Sequence, residues 1–339
     1  MTLRGPALAL ALLLSAAPAA AGANAPGEPR SFTLAMTGDI LVTETVRRVA
    51  DAHAPGERIH DFTPMLAGIE PWISEADFAV CHLETPLLPQ GSGIRPAPTG
   101  LPFPRFSAPA DLAPALAGVG YDACSTAANH ALDYGREGLA ATLDTLEAAG
   151  LGHSGTARSS AEDHPTLYDV EGVTIAHAAY TFGTNKIFVD DDWAVNYLDV
   201  DGMLADAAWA RRQGAEFVFF SIHWGADYTV MPSDRQLEHA RPLMESGLVD
   251  LIVGHHAHVV QPVEVIEGRY VIYGLGNHLS NIRSYVGVAG AGSEDGIIAH
   301  FEITEQPEGG FAVTGFAVTP TRVLRALGKT TGGERGVER

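Results

Sequence analysis

The sequence predicts an α/β fold in which a largely parallel sheet carries helices outside it and antiparallel strands close the domain. Over the first three-quarters of the chain, short apolar runs alternate with segments of helical periodicity, which is the pattern of βαβ units. In the last quarter, strand-like runs follow one another directly. The sequence has no internal repeat and no linker between domains, so we expect a single domain over residues 31–325.

Each predicted strand is an apolar run bounded by glycine, proline or polar residues, and each predicted helix follows such a run. The predicted strands are residues 31–36, 77–83, 121–126, 172–180, 217–222, 249–253, 259–266, 269–275, 296–303 and 311–318. The predicted helices are residues 42–53, 110–116, 135–148, 201–213 and 233–246. Ser233 is a suitable N-cap for the last helix, and Glu267-Gly268 is a suitable hairpin turn.

Both ends of the chain are expected to lie outside the fold. Residues 7–14 are apolar and are followed by small residues that fit a cleavage site after Ala21 or Ala23, which predicts a signal peptide over residues 1–23. That run is too short for a comfortable membrane span, so we expect an exported protein, periplasmic or secreted, with no stable span after cleavage. Residues 326–339 are rich in glycine and charge, which predicts a disordered tail.

The charge balance and the cysteines limit the possible partners and bonds. The net charge of −20 argues against binding of nucleic acid, although a local site can still bind an anion once salt screens the distant charges. Cys81 and Cys124 both lie in apolar, strand-like runs, where a buried free thiol is the commoner outcome. Export leaves a disulfide open as the alternative.

Six predicted strands end in polar residues that suit a metal or a substrate. These residues are Asp39, Glu84, Asn129 with His130, His223, His256 with His258, and Asn277. Open α/β sheets bind ligands at the ends of their strands, so we expect these side chains to share one site. Gly254 would let the chain turn, and an extended segment after it would point His256 and His258 to the same side. His255, between them, would face away and is taken as structural.

The residue types fit a divalent metal centre. Carboxylates, a carboxamide and imidazoles together suit Mn²⁺, Zn²⁺ or Fe²⁺ rather than Ca²⁺. Six candidate ligands exceed the three or four of a single zinc site, so two metal ions sharing a carboxylate are the more economical hypothesis. His130 directly follows a ligand, so its ring is expected to point elsewhere and to act as a general acid.

Each of these residues also has an ordinary structural interpretation. Asp39 could be a helix N-cap, and Glu84 could be a turn residue before Pro86. Asn129 and Asn277 could be turn residues, and His223 could be a hydrogen-bonded core histidine. The metal hypothesis therefore depends on the combination of these residues.

The motifs resemble the CapA family, the poly-γ-glutamate capsule biosynthesis proteins of bacteria, which is similar to the calcineurin-like metallophosphoesterases. The matching segments are Thr37-Gly38-Asp39, Leu83-Glu84-Thr85-Pro86, residues 128–135, residues 223–228, residues 254–258 and Gly276-Asn277. The resemblance implies a four-layer α/β/β/α sandwich with mixed sheets and a dinuclear site. It implies that Asp39 and His258 bind one metal, that Asn129, His223 and His256 bind the other, that Glu84 bridges them, and that His130 is catalytic.

The sequence departs from the phosphoesterase pattern at several positions. Asp-x-His becomes Asp39-Ile40-Leu41, which removes one ligand of the first metal. The bridging Asp is Glu84, one methylene longer, and the acid that usually follows Asn-His is absent, with Asp133 as the nearest substitute. His82 stands where CapA proteins commonly have Asn and is expected to point away from Glu84. His278 replaces a commoner Phe.

The leading functional hypothesis is an exported metal-dependent hydrolase of phosphoesters that acts on an anionic small molecule or polymer. A non-catalytic capsule or polymer assembly component that keeps the fold is the first alternative, and a metal-dependent amide hydrolase is the second. Asn277, Asp133 and Arg105 are candidate substrate-binding residues. Arg105 belongs to a loop over residues 86–109 that contains seven prolines and leaves directly from Glu84, so we expect this loop to border the site.

Overall fold

The computed structural model describes residues 28–56, 59–98, 104–282 and 292–324. The expected signal peptide and the expected tail lie outside the described residues, as do residues 99–103 of the proline-rich loop. Within the described ranges, no helix combines the length and the apolar character that crossing a bilayer requires.

Fifteen strands and seven helices make up the described chain. The strands are β1 Ser31–Leu41, β2 Phe78–Leu83, β3 Leu87–Leu88, β4 Ala108–Pro109, β5 Ala123–Ser125, β6 Gly152–Ser154, β7 Thr166–Val170, β8 Val173–Thr181, β9 Phe217–His223, β10 Leu251–His255, β11 Val263–Ile266, β12 Arg269–Ile272, β13 Asn277–Ser280, β14 Asp295–Glu305 and β15 Phe311–Arg322. The helices are α1 Glu44–His53, α2 Thr63–Leu66, α3 Glu70–Ser74, α4 Leu112–Gly118, α5 Gly135–Ala148, α6 Val200–Arg212 and α7 Asp234–Glu245.

The strands form two mixed sheets and one short ribbon. The seven-stranded sheet has the order β15-β14-β1-β2-β5-β6, with β13 also paired to β1. The six-stranded sheet has the order β11-β12-β10-β9-β8-β7, and β3 pairs with β4 separately. Strands β1, β2, β5 and β6 run parallel to one another, as do β8, β9, β10 and β12. Each sheet therefore has a parallel centre and antiparallel strands at its edge.

Three apolar clusters show how the sheets and helices are layered. Phe32, Leu34 and Met36 of β1 pack with Phe217 and Phe219 of β9, so the two sheets lie face to face. A second cluster packs α1 to α4 against the outer face of the seven-stranded sheet. A third packs α6 and α7 against the outer face of the six-stranded sheet. The expected four-layer α/β/β/α sandwich is thus confirmed.

All predicted helices and strands are present, although several ends differ. β1 continues to Leu41 rather than stopping at residue 36, and the predicted hairpin strands are shorter. Ser233 caps α7 in a capping box with Gln236, as predicted from its type. The pattern missed α2, α3, β3, β4, β6, β7 and β13, which are short or only partly apolar, and β3 and β4 lie in the segment predicted as a proline-rich loop. It also could not assign strands to two sheets, because periodicity carries no information about which strands pair.

Gly254 does not end its strand, which corrects the expected turn. β10 continues through Gly254 to His255, and a Cβ at Gly254 would lie 2.0 Å from the carbonyl oxygen of Tyr273 and 2.5 Å from Nε1 of Trp224. The glycine is therefore required by the close approach of β10 to its neighbours. It brings the histidines that follow to the edge of the sheet.

Cys81 and Cys124 form a disulfide, so the expectation of free thiols was wrong. The two residues are direct partners on the neighbouring parallel strands β2 and β5, with Cα atoms 4.4 Å apart. That pairing could not be read from two separate apolar runs. The bond ties together two strands whose ends carry Glu84 and Asn129.

We expect the disulfide to stabilise the domain, because it closes a loop with a sequence separation of 43. The Cys81→Ser, Cys124→Ser double variant should lose about 2–4 kcal/mol of unfolding free energy. Urea denaturation of the two proteins measures this loss. As a control, thiol titration of the denatured, unreduced wild-type protein should detect no free thiol, and two reactive thiols per chain would contradict the assignment.

Candidate metal centre

The carboxyl ends of β1, β2, β9 and β10 meet at one edge of the sandwich, and the six predicted ligands meet there too. His258 Nδ1 lies 3.1 Å from Asp39 Oδ2, and His258 Nε2 lies 3.7 Å from Glu84 Oε1. His223 Nε2 lies 3.9 Å from the same Glu84 oxygen and 3.1 Å from Asn129 Oδ1. The rings of His223 and His256 have centroids 4.6 Å apart. The predicted convergence is therefore present, while the role of these residues as ligands stays a prediction.

His256 and His258 converge by a different route from the expected one. They follow the end of β10 with φ angles of +85° and +55°, so they lie in a turn and not in an extended segment. Positive φ is unfavourable for residues other than glycine and tends to be kept at functional sites. The turn brings the ring centroids to 5.9 Å from each other. The backbone is thus strained at the turn that places two imidazoles next to the buried carboxylates.

The donor atoms form two groups, each compact enough for one ion. Asp39, His82 and His255 make one group, and Glu84, His256 and His258 make the other, with all ligand atoms inside each group within 4.8 Å of one another. All of these residues are buried. Residues that share an ion at bonds of about 2.0–2.2 Å must approach this closely. The spacing and the mixture of oxygen and nitrogen donors therefore fit divalent metal ions.

Several of these donors are buried without a hydrogen bond from the described residues. They include Asp39 Oδ2, both carboxylate oxygens of Glu84 and Nδ1 of His256. A buried polar atom left unpaired costs about 1–3 kcal/mol, and more when it is charged. A cation bound among these atoms would remove that cost, so the residues of this site fit a metal centre.

Burial and mutual contact shift the acids in opposite directions. Burial opposes ionisation of Asp39, but pairing with His255 and His258 outweighs it and holds the pKa of Asp39 well below its usual range. Burial raises the pKa of Glu84 well above its usual range, and the charge of Asp39 adds to that shift while His258 opposes it. The neighbouring histidines thus stabilise the charged form of Asp39, whereas His258 offsets only part of the cost of ionising Glu84.

The histidines of the site also have pKa values that are shifted in opposite directions. Burial alone would lower the pKa of His258, but Glu84 and Asp39 raise it to about 10. Burial lowers the pKa of His256 to about 4 and that of His223 well below its usual range, with neighbouring histidines adding to the effect. His223 and His256 are therefore neutral at physiological pH, which is the form that binds a metal.

His82 fixes the orientation of the His223 ring through a contact with its Nδ1. His82 Nδ1 lies 2.7 Å from the hydroxyl of Ser125, and His82 Nε2 lies 2.9 Å from His223 Nδ1. If the ring of His82 donates from Nδ1 to Ser125, its Nε2 accepts the proton of His223 Nδ1. The other nitrogen of His223, Nε2, then presents a lone pair toward Asn129 and Glu84. Metal-binding histidines commonly have their second nitrogen fixed in this manner.

His256 and His258 each have a partner of the same kind. Asn277 donates from Nδ2 to the carbonyl oxygen of Ser293 at 2.7 Å, which directs its Oδ1 to His258 Nδ1 at 2.9 Å. His258 Nδ1 thus has a fixed acceptor, and Nε2 faces Glu84, where a bound metal ion would displace its proton. His256 Nε2 lies 3.3 Å from Asp227 Oδ1, which leaves Nδ1 for the site.

His130 lies beside the centre and is held by an acid. Its Nδ1 lies 2.7 Å from Asp133 Oδ2, which also accepts the backbone N–H of Phe106 at 2.7 Å. The ring of Phe106 packs edge-on against His130, with centroids 4.8 Å apart, and Asn185 Nδ2 lies 3.3 Å from Nδ1. The proline-rich loop therefore borders the site through Phe106, as predicted.

Two of the three predicted substrate-binding residues contact histidines of the site, which supports a positioning role for them. Asn277 and Asp133 are each 1% exposed, and their side chains bind His258 and His130, so both orient histidines. Arg105 precedes Phe106, and its Nε is buried without a hydrogen bond from the described residues. Contact of Asn277, Asp133 and Arg105 with substrate stays a prediction.

The sequence interpretation missed three residues of the site. His82 was expected only to point away from Glu84, His255 was taken as structural, and Asp227 was left without a role. His82 and His255 both lie in a donor group with Asp39, and their rings stack with centroids 4.0 Å apart. The clustering of three histidines over residues 255–258 was the available signal for His255. Asp227 had a weaker signal, since it lies in the motif that begins at His223.

The sequence matches the family described as bacterial capsule synthesis protein PGA_cap over residues 33–282. The chain belongs to this family. The PGA biosynthesis protein CapA of Bacillus subtilis (strain 168) is 28% identical over 256 residues, 73% of this chain and 62% of that protein. The capsule biosynthesis protein CapA of Bacillus anthracis is 26% identical over 257 residues, 74% of this chain and 60% of that protein. The chain thus spans about three-fifths of the length of these capsule synthesis relatives.

This member of the family also has the fold of a known phosphoesterase. The calcineurin-like phosphoesterase YfkN from Bacillus subtilis aligns with a TM-score of 0.50 over 87% of this chain and 91% of that one. The sequence identity is 12%, so the likeness concerns the fold alone. The expected resemblance to CapA proteins and the expected metallophosphoesterase-like fold are both confirmed.

We expect His256→Ala to lower the metal content of the protein, because it removes a buried imidazole from the Glu84 group. After loading with Mn²⁺ or Zn²⁺ and gel filtration, atomic emission spectrometry should find at least one ion fewer per chain than in wild type. His53→Ala, which changes an exposed histidine at the end of α1, is the control and should keep the wild-type content. Equal metal content in all three proteins would contradict the ligand assignment.

We expect His82→Leu to weaken metal binding about 10-fold to 100-fold, as loss of a second-layer partner of a ligand does. The variant keeps a buried apolar side chain but leaves His223 Nδ1 without its acceptor. Isothermal titration with Zn²⁺ measures the affinity, and thermal unfolding checks that the variant is folded. A folded variant with wild-type affinity would show that His82 only fills space.

Proposed function

We propose that this chain is an exported, metal-dependent hydrolase of phosphoesters that serves capsule or polymer synthesis. The observation that supports this most is the juxtaposition of two buried donor groups with the His130–Asp133 pair at one edge of the sandwich. A pair of ions beside a positioned acid would stabilise both the attacking and the leaving oxygen of an in-line displacement at phosphorus.

When bound, the metal ions would supply Lewis-acid activation of water and charge compensation for the phosphoryl oxygens. Glu84, His256 and His258 would hold one ion together with Asn129 and His223, and Asp39 would hold the other. His130 would donate a proton from Nε2 to the departing oxygen, while Asp133 stabilises the ring through Nδ1. Phe106 packs edge-on against the ring of His130 and fixes it from another direction.

Other observations support the proposed substrate class and the proposed compartment. The relatives are described as proteins of PGA and capsule biosynthesis, which favours a substrate derived from an anionic polymer or its precursor. The sequence at residues 1–23 is typical of a signal peptide, and a disulfide is typical of proteins in oxidising compartments. Secretion of a reporter fused to residues 1–30 would test the export directly.

We expect His130→Ala to lower kcat for an aryl phosphate about 10²-fold to 10⁴-fold while leaving metal content unchanged, because the residue acts on the leaving oxygen and not on the ions. Hydrolysis of 4-nitrophenyl phosphate and of its diester, with added Mn²⁺ or Zn²⁺, measures this. The effect should shrink with esters of more acidic phenols, which need less protonation.

The same assay separates the proposal from its alternatives. Hydrolysis of γ-glutamyl anilides without hydrolysis of any phosphoester would assign an amide hydrolase. A metal-loaded protein that hydrolyses neither class would indicate a non-catalytic assembly component. The His53→Ala variant serves as the control for purification and should match wild type in every assay.

A further inference from the structure

His255 is the last residue of β10 and is almost completely enclosed, with 2% of its surface exposed. Neither ring nitrogen makes a hydrogen bond with the described residues. A histidine ring has one N–H and one lone pair when neutral and two N–H groups when protonated, so in either form two polar groups lose their water partners on folding. Leaving them unmatched costs about 1–3 kcal/mol for each group. The ring nitrogens of His255 therefore need a partner other than a hydrogen-bonding group of the described residues.

The surroundings of His255 indicate which partner fits. Its Nδ1 lies 3.6 Å from Asp39 Oδ1, beyond a hydrogen bond but close to the separation of two ligands on one ion with bonds of about 2.0–2.2 Å. The ring stacks on His82 at an interplanar angle of 13°, which fixes its plane. His82 cannot take the same role without losing contacts, since its two nitrogens already face Ser125 and His223.

The Asp39 side of the centre also needs another ligand. The side chain two residues after Asp39 is Leu41, which is buried and has no donor atom. His256 contacts Asp39 only through its backbone N–H, and the Nδ1 atom of His258 that lies 3.1 Å from Asp39 Oδ2 is shared with Asn277. An imidazole from β10 would supply the missing nitrogen.

We propose that His255 is a metal ligand, and that its Nδ1 completes with Asp39 the coordination of the second divalent ion. This inference rests on the proposed function, because it adds a ligand to the same centre. It gives the ion a donor from the strand that also carries the turn to His256 and His258. The ions would thereby be held by both sheets, Asp39 and Glu84 from the seven-stranded sheet and the histidines of residues 255–258 from the six-stranded one.

His255→Phe tests the proposal, because it keeps a flat ring stacked on His82 and removes both nitrogens. His177→Phe is the matched control. His177 is equally buried, stacks on Phe219 with centroids 4.6 Å apart and bonds Ser221 through Nε2, and it belongs to neither donor group. The readouts are ions per chain by atomic emission spectrometry and affinity by titration calorimetry, both with Mn²⁺ and Zn²⁺.

We expect wild type and His177→Phe to bind two ions, and His255→Phe to lose one of them or to bind it at least about 10-fold more weakly. Adding Leu41→His to His255→Phe should restore part of the affinity, since it offers an imidazole two residues after Asp39. Two ions with unchanged affinity in His255→Phe would overturn this inference and leave the proposed function intact. A wild-type protein that binds no ion would overturn both.

A measurement on the wild-type protein covers the case in which His255→Phe fails to fold. With ¹⁵N-labelled histidine rings and saturating Zn²⁺, nuclear magnetic resonance distinguishes metal-bound ring nitrogens from free ones. The proposal requires four metal-bound imidazoles, those of His223, His255, His256 and His258. Three such signals would overturn it.

Discussion

The burial of two carboxylates, Asp39 and Glu84, beside a set of imidazoles is the constraint on which the rest of this site depends. Each is 1% exposed, and neither has an Arg or Lys among its ion-pair partners in the described chain. Isolated buried charges are expensive, and His258 alone compensates for one of them. Burying both carboxylates therefore requires further positive charge, and metal ions would supply that charge in the smallest volume.

The backbone around the carboxylates is built for close approach. A Cβ at Gly38 would lie 2.0 Å from the carbonyl oxygen of Gly276, and one at Gly254 would meet the carbonyl oxygen of Tyr273 at the same distance. These glycines let β1 and β10 pack against the segments that lead to Asn277 and to the histidines. The layers behind the site are thereby tight, and Asp39, His255 and Asn277 stay in register at the edge of the sheets.

Much of this arrangement could be predicted from residue types and their places in the sequence. Asp39, Glu84, Asn129, His223, His256 and His258 follow apolar strands, and strand ends meet at one edge in an α/β fold. Tertiary contacts were beyond reach: the pairing of Cys81 with Cys124, the turn at positive φ that carries His256, and the stacking of His82 on His255. These depend on which strands are neighbours and in which register, and the alternation of apolar and polar residues does not encode that. The resemblance to CapA proteins supplied the layer order that periodicity could not.

Anomalous diffraction from crystals of the protein soaked with Mn²⁺ or Zn²⁺ would test the central claim most directly. We expect two peaks about 3.5–4 Å apart, the separation of ions that share a bridging ligand. One should lie among Asn129, His223 and His256, the other beside Asp39, and Glu84 should lie between them. The absence of any peak at this edge, or peaks only at surface residues, would contradict the account.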